Sequence, residues 1–380
     1  MKKFIFFGIA AIAALASCKQ VTIDEPERAI SFEVASYMPQ TRAQGNNFEA
    51  ECGTYFFTNA WYTPASGDVQ HYMDDLQISL AGGKWAPADA YYWPRSGSIN
   101  FFSYASKNDL ASSELDPGDA VYGTTFKITG HTVAADDNIM IADAVYNATK
   151  DAHNADGTAI TDDLTSGTDS AYQGVPTMFR HLLAQISFNI GLATQNPTTG
   201  STNFKAVVTN AELVKVANKG DITLTAGASG TGLNTQPWSP ASDGTVVGWT
   251  NASGESTISL SNSTPLTLAA GASAGNIEIF LTNYSVLPQA LSDAVVLNIT
   301  FDLQTLHGTT VYAEEKDLTV SAKLNVAKNA SNVAVASWNM NQRITYNVTI
   351  DPVTETVTFD PAVAPWIPET GAINYLVPTI

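Results

Sequence analysis

The side chain with the most definite chemistry near the start of the chain is the thiol of Cys18. A basic start and an apolar run over residues 4–15 lead through small residues to this cysteine. The order is typical of a bacterial export signal and resembles a lipobox, and the run is shorter than the roughly 20 residues of a membrane-spanning helix. We therefore predict a signal peptide over residues 1–18 and lipidation of Cys18, which would hold the precursor at the outer membrane. An ordinary secretory peptide with a chance cysteine is the alternative.

The other reactive side chains form no recognisable catalytic or metal-binding motif. The five histidines are far apart, and none has a second histidine or a cysteine at zinc spacing. His181 precedes an apolar run, which favours a partly buried, hydrogen-bonded residue over a metal ligand. Residues 151–157 resemble a calcium loop, but their acidic positions are out of step with the required pattern. We therefore predict no metal, no cofactor and no catalytic residue.

Composition limits the class of protein and its partners. The chain is 44% hydrophobic and 14% charged, which is enough apolar material for packed cores and too much for a disordered chain. Its formal net charge of −18 repels phosphate backbones, so nucleic acid is not an expected partner. If Cys18 carries lipid, Cys52 has no partner and is expected to be a small buried residue, with an intermolecular disulfide as the alternative. A length of 380 residues predicts two domains.

The elements that would position these residues are β-strands. Helical periodicity is scarce, whereas short alternating or β-branched segments recur between turn-rich stretches, which predicts an all-β fold. Polar stretches over residues 147–173, 193–203 and 226–265 are predicted to be linkers or surface loops, and a domain boundary is placed near Pro176. Residues 344–359 are predicted to form a hairpin. The predicted strands cover residues 30–34, 100–104, 277–281, 295–301, 344–350 and 353–359.

Blocks of sequence along the whole chain resemble one family, the Bacteroides-type fimbrillins. Residues 91–94 (YYWP), followed by residues 99–104 (INFFSY), are similar to an aromatic block of that family. Residues 179–188 (FRHLLAQISF) are similar to one of its strands, and residues 338–346 (WNMNQRITY) with residues 363–366 (VAPW) resemble its closing segment. Each block alone is weak, but the order is specific.

The resemblance implies two transthyretin-like β-sandwich domains in tandem, over residues 43–176 and 177–380. It also implies a structural, non-enzymatic subunit of a type V pilus at the cell surface, serving cell adhesion, with other pilus subunits as partners. The aromatic residues of the blocks would then form the sandwich cores. They are Trp93, Phe101, Tyr104, Phe188, Tyr346 and Trp366.

Fimbrillins are matured by an arginine-specific protease, which removes a first strand and leaves a groove for a strand of a neighbouring subunit. Here Arg42 follows the strand predicted over residues 30–34, so residues 19–42 are the expected propeptide. Arg28 is the rival cleavage site. The expected donor strand is the tail, residues 367–380, in which Ile373, Tyr375 and Val377 share one face. Alternatively, the tail is this subunit's own last edge strand.

Other functions remain open at this point. A surface glycan-binding lipoprotein of a nutrient-uptake system would share the signal and the β-domains, with Trp61, Trp85, Trp238 and Trp249 forming an exposed aromatic face. An exported hydrolase is supported only by the abundance of carboxylates. Within the pilus, stalk, tip and anchor subunits are not distinguished by the sequence.

Overall fold

The fold is taken from a computed structural model of the chain. The structure describes residues 29–36, 48–116, 125–149, 174–193, 202–226, 234–236, 238–239, 249–260, 265–269, 277–308, 310–328, 334–351 and 356–365. Strands dominate these residues, accompanied by a short helix, α1 (Phe48–Cys52), and a 3₁₀ turn (Leu324–Val326). The predicted all-β class is therefore confirmed. No helix among the described residues is long and apolar enough to cross a membrane.

The strands are numbered in chain order. The first ten are β1 (Phe32–Ser36), β2 (Tyr55–Thr63), β3 (Gln70–Ala81), β4 (Lys84–Pro87), β5 (Ser98–Ser106), β6 (Leu115–Asp116), β7 (Thr125–Thr132), β8 (Ile139–Ala142), β9 (Ala144–Ala148) and β10 (Val175–His181). The others are β11 (Ala184–Leu192), β12 (Thr202–Ala226), β13 (Asn234–Gln236), β14 (Trp238–Ser239), β15 (Trp249–Ser259), β16 (Leu266–Ala269), β17 (Ile277–Val286), β18 (Gln289–Ala290), β19 (Val296–His307), β20 (Thr310–Lys323), β21 (Ser337–Trp338), β22 (Gln342–Asp351) and β23 (Thr356–Pro365).

The first half of the chain builds a nine-stranded sheet that closes on itself. Its order is β13-β9-β5-β2-β3-β4-β1-β10-β8, and β8 also pairs with β5. Seven strands, from β5 through β1 to β8, therefore form a closed circuit of hydrogen-bonded neighbours. Inside it lies an apolar cluster that includes Phe32, Phe56, Phe101 and Phe179, all of them buried. Every strand of the circuit has two neighbours and none is an edge strand, whereas β13, outside the circuit, pairs with β9 alone among the described strands.

The second half, together with β6 and β7 of the first half, forms a sandwich of two sheets. A four-stranded sheet has the order β17-β11-β22-β23, and an eight-stranded sheet is built on the path β20-β19-β12-β7-β6. The cluster between them draws side chains from both sheets, among them Phe188 of β11 and Ile299 of β19. The alternating residues of β22 point Ile344, Tyr346 and Val348 into this core. The predicted hairpin is confirmed as β22 and β23, whose register runs from the pair Gln342↔Pro365 to the pair Asp351↔Thr356.

Part of the loop predicted over residues 226–265 is a strand instead, so that prediction is wrong for residues 249–259. Strand β15 pairs with β12 despite its Ser, Thr, Asn and Gly content. Backbone groups make the ladder, so polar side chains do not prevent pairing when a neighbouring strand supplies donors and acceptors. The described strand residues at 234–236, 238–239 and 202–203 also fall inside stretches predicted as loops.

The two halves meet in a continuous apolar cluster. Phe102 and Ile141 contribute from the nine-stranded sheet, Ile222 from β12, and Leu182 and Leu183 from the turn after β10. Strand β10 crosses the predicted domain boundary between residues 176 and 177, and the chain enters the four-stranded sheet at β11. The division into two domains stays a prediction.

Candidate functional site

The candidate site is the position of β1 in the closed circuit. Three alternating side chains of this segment, Ile30, Phe32 and Val34, are at most 2% exposed. The Phe32 ring meets Phe56 at 5.5 Å and Phe101 at 5.6 Å between centroids, both edge to face. Burying three such side chains stabilises the fold by roughly 5–9 kcal/mol before entropy is counted. The segment therefore fills a large part of the core.

The backbone of β1 is held unequally on its two sides. It pairs in parallel with β10 over five residues, from Phe32↔Val175 to Ser36↔Phe179. On the other side it pairs with β4 only at Phe32↔Trp85. Outside the strand, the Ile30 N–H donates to the Tyr91 carbonyl at 2.7 Å. Most of the ladder that holds β1 thus belongs to β10.

The backbone at Gly174 fits closely against β1. Its φ is +143°, and a Cβ there would lie 2.7–2.8 Å from the Phe32 backbone. Contacts that short force atoms apart, and this region of φ is open essentially only to glycine. The Val175 N–H next to it donates to the Ser31 carbonyl at 2.7 Å. A glycine at 174 therefore lets β10 approach β1 closely.

Helix α1 packs beside the same core. Phe48 is fully buried, and its ring lies 4.4 Å from Phe179, 5.4 Å from Trp85 and 6.0 Å from Phe56. Phe48 comes after the predicted cleavage site in the sequence. Part of the core around β1 is therefore supplied by residues that would stay with the chain after cleavage at Arg42.

The predicted site residues are not among those that the structure describes. Cys18, Arg42, Ile373, Tyr375 and Val377 all lie outside the described residues, so their predicted roles remain predictions.

Cys52 and His181 are buried, as the sequence suggested. Cys52 is free, and burial, with Glu51 and Asp137 nearby, raises the pKa of its thiol. The His181 ring bonds Asn138 through Nδ1 at 2.8 Å to Oδ1. Burial lowers the pKa of His181 to about 3, with the charge of Arg343 as a lesser cause. Neither residue has the exposure or charge of a reactive group at neutral pH.

Two of the arginines lie within strands and are engaged by polar side chains. Arg180 Nε and a terminal nitrogen donate to the carboxylate of Asp143 at 2.6 and 2.8 Å. Arg343 donates through Nε and a terminal nitrogen to Gln185 Oε1 at 3.1 and 2.9 Å. Arg95, in contrast, is exposed in a bend before β5. Among the described residues, Arg95 is therefore the arginine most accessible to a protease.

The structure contains a buried polar cluster, around His131, that the sequence did not predict. His131 Nε2 lies 2.7 Å from Asp137 Oδ2, and His131 Nδ1 lies 3.6 Å from Glu114 Oε2. Burial opposes the charged imidazolium, but the hydrogen bond and charge of Asp137, aided by Glu114, leave the pKa of His131 raised overall. The acidic partners are unremarkable in sequence, so their convergence on His131 depends on tertiary structure. The cluster has the features of a structural ion pair.

The aromatic residues mostly fill cores. Of the six predicted core aromatics, five are at most 6% exposed, and Trp366 lies outside the described residues. The exposed tryptophan face considered for a glycan-binding protein is wrong for Trp61, Trp85 and Trp249, which are at most 7% exposed. Each of these three rings packs in an apolar cluster, which explains why it is not available at the surface. The described residues contain no cluster of three or more potential metal ligands.

Comparison with solved structures finds similar folds in other proteins. A protein attributed to cell adhesion from Parabacteroides distasonis ATCC 8503 is 12% identical, with coverage of 90% of this chain and 98% of that one and a TM-score of 0.51. A fimbrial protein from Bacteroides vulgatus ATCC 8482 is 18% identical, with coverage of 90% and 100% and a TM-score of 0.49. A fimbrilin from Porphyromonas gingivalis W83 is 12% identical, with coverage of 89% and 97% and a TM-score of 0.40. At these identities, only the first supports a shared fold. Comparison with curated proteins found no match.

The family comparison is more extensive. A model of the fimbrillin-like family matches residues 41–366, which is most of the chain and includes every block of sequence that resembles the family. The chain therefore belongs to the fimbrillin-like family.

Proposed function

We propose that this protein is a structural subunit of a type V pilus, serves cell adhesion, and joins neighbouring subunits by strand exchange at the β1 position. Its family membership supports the general role, a non-enzymatic fimbrial subunit at the cell surface. The observation that supports the finer mechanism is β1 itself. Its Phe32 and Val34, with Ile30 just before it, bury three side chains in the core, yet β1 pairs with β4 at a single residue.

Loss of β1 would open the circuit between β4 and β10. The five β10 residues that pair with β1 would lose their ladder partners, and the aromatic core around Phe56 and Phe101 would be uncovered. Unpaired backbone groups and exposed apolar side chains both favour the addition of a new strand. Cleavage would thus convert a closed subunit into one that accepts a strand.

The tail carries a suitable pattern for that strand. Ile373, Tyr375 and Val377 repeat the spacing and nearly the side-chain types of Ile30, Phe32 and Val34. Alternate residues of a strand point to one face, so each set presents a branched, an aromatic and a branched side chain in the same order. We infer that the tail of one subunit takes the β1 position of the next, parallel to β10 like β1, with Tyr375 in place of Phe32.

Arginine-specific proteolysis would start this process. Arg180 and Arg343 are held within strands, while Tyr62 Oη donates to the Ser96 carbonyl at 2.9 Å and restrains the bend that contains Arg95. Cleavage requires a segment that can enter a protease cleft, and residues restrained in a strand or bend enter one poorly. A cut at Arg28 would leave the strand over residues 30–34 attached, because Arg28 precedes it in the sequence. We therefore propose cleavage after Arg42.

The decisive experiment treats residues 19–380 with an arginine-specific protease and records intact mass and an unboiled gel. We expect one cut after Arg42 and a detergent-resistant ladder, neither of which should occur with Arg42→Lys. Arg95→Lys is the matched control and should behave as the wild type. A chain that is cut but stays monomeric contradicts the proposed polymerisation and favours a terminal subunit.

Deletion of residues 367–380 tests the donor strand separately. The cut should still occur after Arg42, but the ladder should collapse to monomers. Unchanged polymer length after deletion would mean that the tail is not the donor. A second deletion limited to residues 378–380 keeps Ile373, Tyr375 and Val377 and should preserve the ladder.

Lipidation of Cys18 is the proposed route by which the precursor reaches the outer membrane. A Cys18→Ser variant expressed in a Bacteroides host should incorporate no labelled palmitate and should be lost from the outer-membrane fraction. Labelling that persists in this variant would place the lipid elsewhere.

A further inference from the structure

A cleft on the nine-stranded sheet lies away from the β1 position. Its volume is about 190 Å³, and Tyr55, Phe57, Asp75, Gln77, Tyr104 and Asp109 are among the residues that line it. These residues come from β2, β3 and β5 and from the turn after β5, with none from β1, β4 or β10. The cleft is smaller than the roughly 300–1,000 Å³ of drug-sized pockets, so it suits a single side chain or a sugar ring.

Aromatic rings form one part of the lining. Phe57 stacks on Tyr104 with centroids 5.6 Å apart and an angle of 22° between planes. Tyr55 packs edge to face on Phe57 at 5.9 Å. Phe57 and Tyr55 are partly exposed, whereas Tyr104 is buried. The stack is therefore rigid at its base and reachable from solvent at its rim.

A distortion of β3 directs a carboxylate into this cleft. Thr58 of β2 pairs with Leu76 of β3, and Ala60 pairs with Met73. Between these pairs one residue of β2 therefore lies opposite two residues of β3, which is a bulge. Asp75 lies in this bulge with a φ of +44°, and its N–H donates to Asn59 Oδ1 at 2.9 Å. Bulges and left-handed residues are often retained where a side chain must be re-aimed.

Asn59, which accepts the hydrogen bond from the Asp75 N–H, is itself incompletely hydrogen-bonded. Asn59 is fully buried, and its amide nitrogen Nδ2 has no hydrogen-bond partner. Leaving a buried donor unpaired destabilises a fold. The strained backbone of Asp75 and the unpaired amide of Asn59 therefore occur in two residues joined by a hydrogen bond, which points to a use for the Asp75 carboxylate.

The carboxylates of the cleft are not neutralised by cations. Tyr104 Oη donates to Asp75 Oδ1 at 2.5 Å, and Tyr55 Oη donates to Asp109 Oδ1 at 3.3 Å. Among the described residues, no ion pair includes Asp75 or Asp109. The charge of Asp109 is the main cause that raises the pKa of Tyr55, and burial followed by Asp75 raises that of Tyr104. The cleft therefore has a negative potential.

We propose that this cleft binds the cationic side chain of a protein partner, a lysine ammonium or an arginine guanidinium group. The alkyl stem would lie along Phe57 and Tyr55, and the charged end would meet Asp75 and Asp109. Aromatic faces attract cations, and carboxylates add charge-assisted hydrogen bonds. Two carboxylates beside an aromatic stack favour a cation over a neutral sugar ring. This proposal does not depend on strand exchange.

The test is an NMR titration of residues 19–380 carrying ¹⁵N-labelled phenylalanine and tyrosine. The probe is Nα-acetyl-lysine methylamide, and the matched neutral probe is the norleucine analogue. We expect the lysine probe to shift the signals of Tyr55 and Phe57 and to bind at least about tenfold more tightly than the norleucine probe. Raising the salt concentration should weaken the lysine probe because the charges at the rim are screened.

Charge variants locate the binding. Asp75→Asn and Asp109→Asn should each weaken the lysine probe by roughly tenfold, since each removes one charge-assisted contact. Asp75→Asn retains an oxygen that can accept from Tyr104, and Asp109 is exposed, so both variants are expected to fold. Asp74→Asn is the matched control, because this neighbouring carboxylate is 84% exposed, does not line the cleft, and lies 3.8 Å from His71.

Three results would overturn the proposal. Equal affinity for the lysine and norleucine probes would show that charge is not recognised. Equal loss in Asp74→Asn would reduce the effect to overall charge. Binding of glucose or galactose to Tyr55 and Phe57, with no response to the lysine probe, would assign the cleft to sugars instead.

Discussion

Strands β1 and β22 have the same kind of sequence and very different places in the hydrogen-bond network. Both alternate apolar residues that are fully buried, and both run parallel to a neighbour. Strand β22 pairs with β11 over eight residues and with β23 over ten, whereas β1 pairs with β10 over five and with β4 at one. Side-chain alternation determines what a strand buries, but ladder partners on both sides determine how firmly it is held. This contrast makes β1, rather than β22, the strand suited to exchange.

The largest effects on stability should come from removing one large side chain from each of the two cores. Phe32 lies between Phe56 and Phe101, and Phe188 stacks on Tyr346 at 5.2 Å. Phe32→Ala and Phe188→Ala should each lower the free energy of unfolding of the intact chain by about 3–5 kcal/mol. After cleavage at Arg42 and removal of the propeptide, only Phe188→Ala should remain less stable than the wild type. Denaturant titration of both forms measures this, and a persistent deficit in cleaved Phe32→Ala would show that β1 has not left.

Gly174→Ala should weaken the close packing of the Gly174 backbone against β1 without changing any buried apolar side chain. The added Cβ meets the Phe32 backbone at 2.7–2.8 Å, and the backbone φ of +143° is strained for alanine. We expect a loss of about 1–3 kcal/mol in the intact chain. Gly308→Ala is the control, because that glycine also has a positive φ but a Cβ there meets nothing within 4 Å. If the two variants were equally destabilised, the contact with β1 would have no special weight.

A smaller difference concerns buried tryptophan N–H groups. In the second half Trp338 Nε1 donates to Tyr346 Oη at 2.8 Å, whereas Trp93 Nε1, between β4 and β5, is buried in the core of the nine-stranded sheet without a partner. Tyr346→Phe should therefore lower stability by about 1–3 kcal/mol, because it leaves the Trp338 donor unpaired. Tyr312→Phe, at an 84% exposed tyrosine, should have almost no effect. Thermal unfolding of the three chains measures the difference, and no loss in Tyr346→Phe would contradict a net contribution from this hydrogen bond.

The smallest expected effect is a pH dependence from His131, near the junction of the two halves. Its folded-state pKa is raised by Asp137 and Glu114 despite the opposing effect of burial. The imidazolium therefore stabilises the fold fully below the unfolded-state pKa of about 6.5, and this contribution is lost as pH rises through the folded-state pKa. His181 acts in the opposite direction, because its lowered pKa makes protonation below about pH 6.5 favour the unfolded chain.

Comparing the wild type with His131→Gln isolates the contribution of His131 to the pH dependence of stability, since His181 is present in both chains. The stability difference between the two chains should be greatest at acidic pH and should shrink as pH rises above about 6.5. Denaturant midpoints measured from pH 5 to 9 would show it. A difference that is constant over this range would contradict an ionised His131.

The strands that the sequence predicted well are those with strict alternation and a one-sided core. Residues 344–350 fall within β22, and residues 296–301 of the strand predicted over 295–301 fall within β19. Asp351 and Pro352 predicted that β22 and β23 would be joined as a hairpin, and the two strands do pair. Strand β12, of 25 residues, was not identified, because lysine, asparagine and glycine interrupt its apolar pattern. It is stabilised by pairing with β19, β15, β16 and β7, which is information that no local window contains.

The sites show the same difference between what local sequence predicts and what depends on distant strands. The buried alternation at residues 30, 32 and 34 could be read from the sequence, but the closed circuit and the single pairing with β4 could not, since they depend on distant strands. The cleft at Asp75 arises from a bulge in a strand whose local sequence is ordinary. Likewise, His131 at the end of β7 meets its two carboxylate partners only because the turn before β6, with Glu114, and the segment after β7, with Asp137, both pack against it.

Because Cys52 is buried, the rate at which its thiol reacts can be used to follow structural changes near β1. This thiol ends helix α1, whose Phe48 shares the core with β1, and its pKa is raised by burial. In residues 19–380 it is the sole cysteine, so a maleimide dye can label one position and does so only when α1 opens. If β1 is exchanged as proposed, the labelling rate should be slow in the intact subunit, faster after the first strand is removed, and slow again once a strand of a neighbouring subunit is bound.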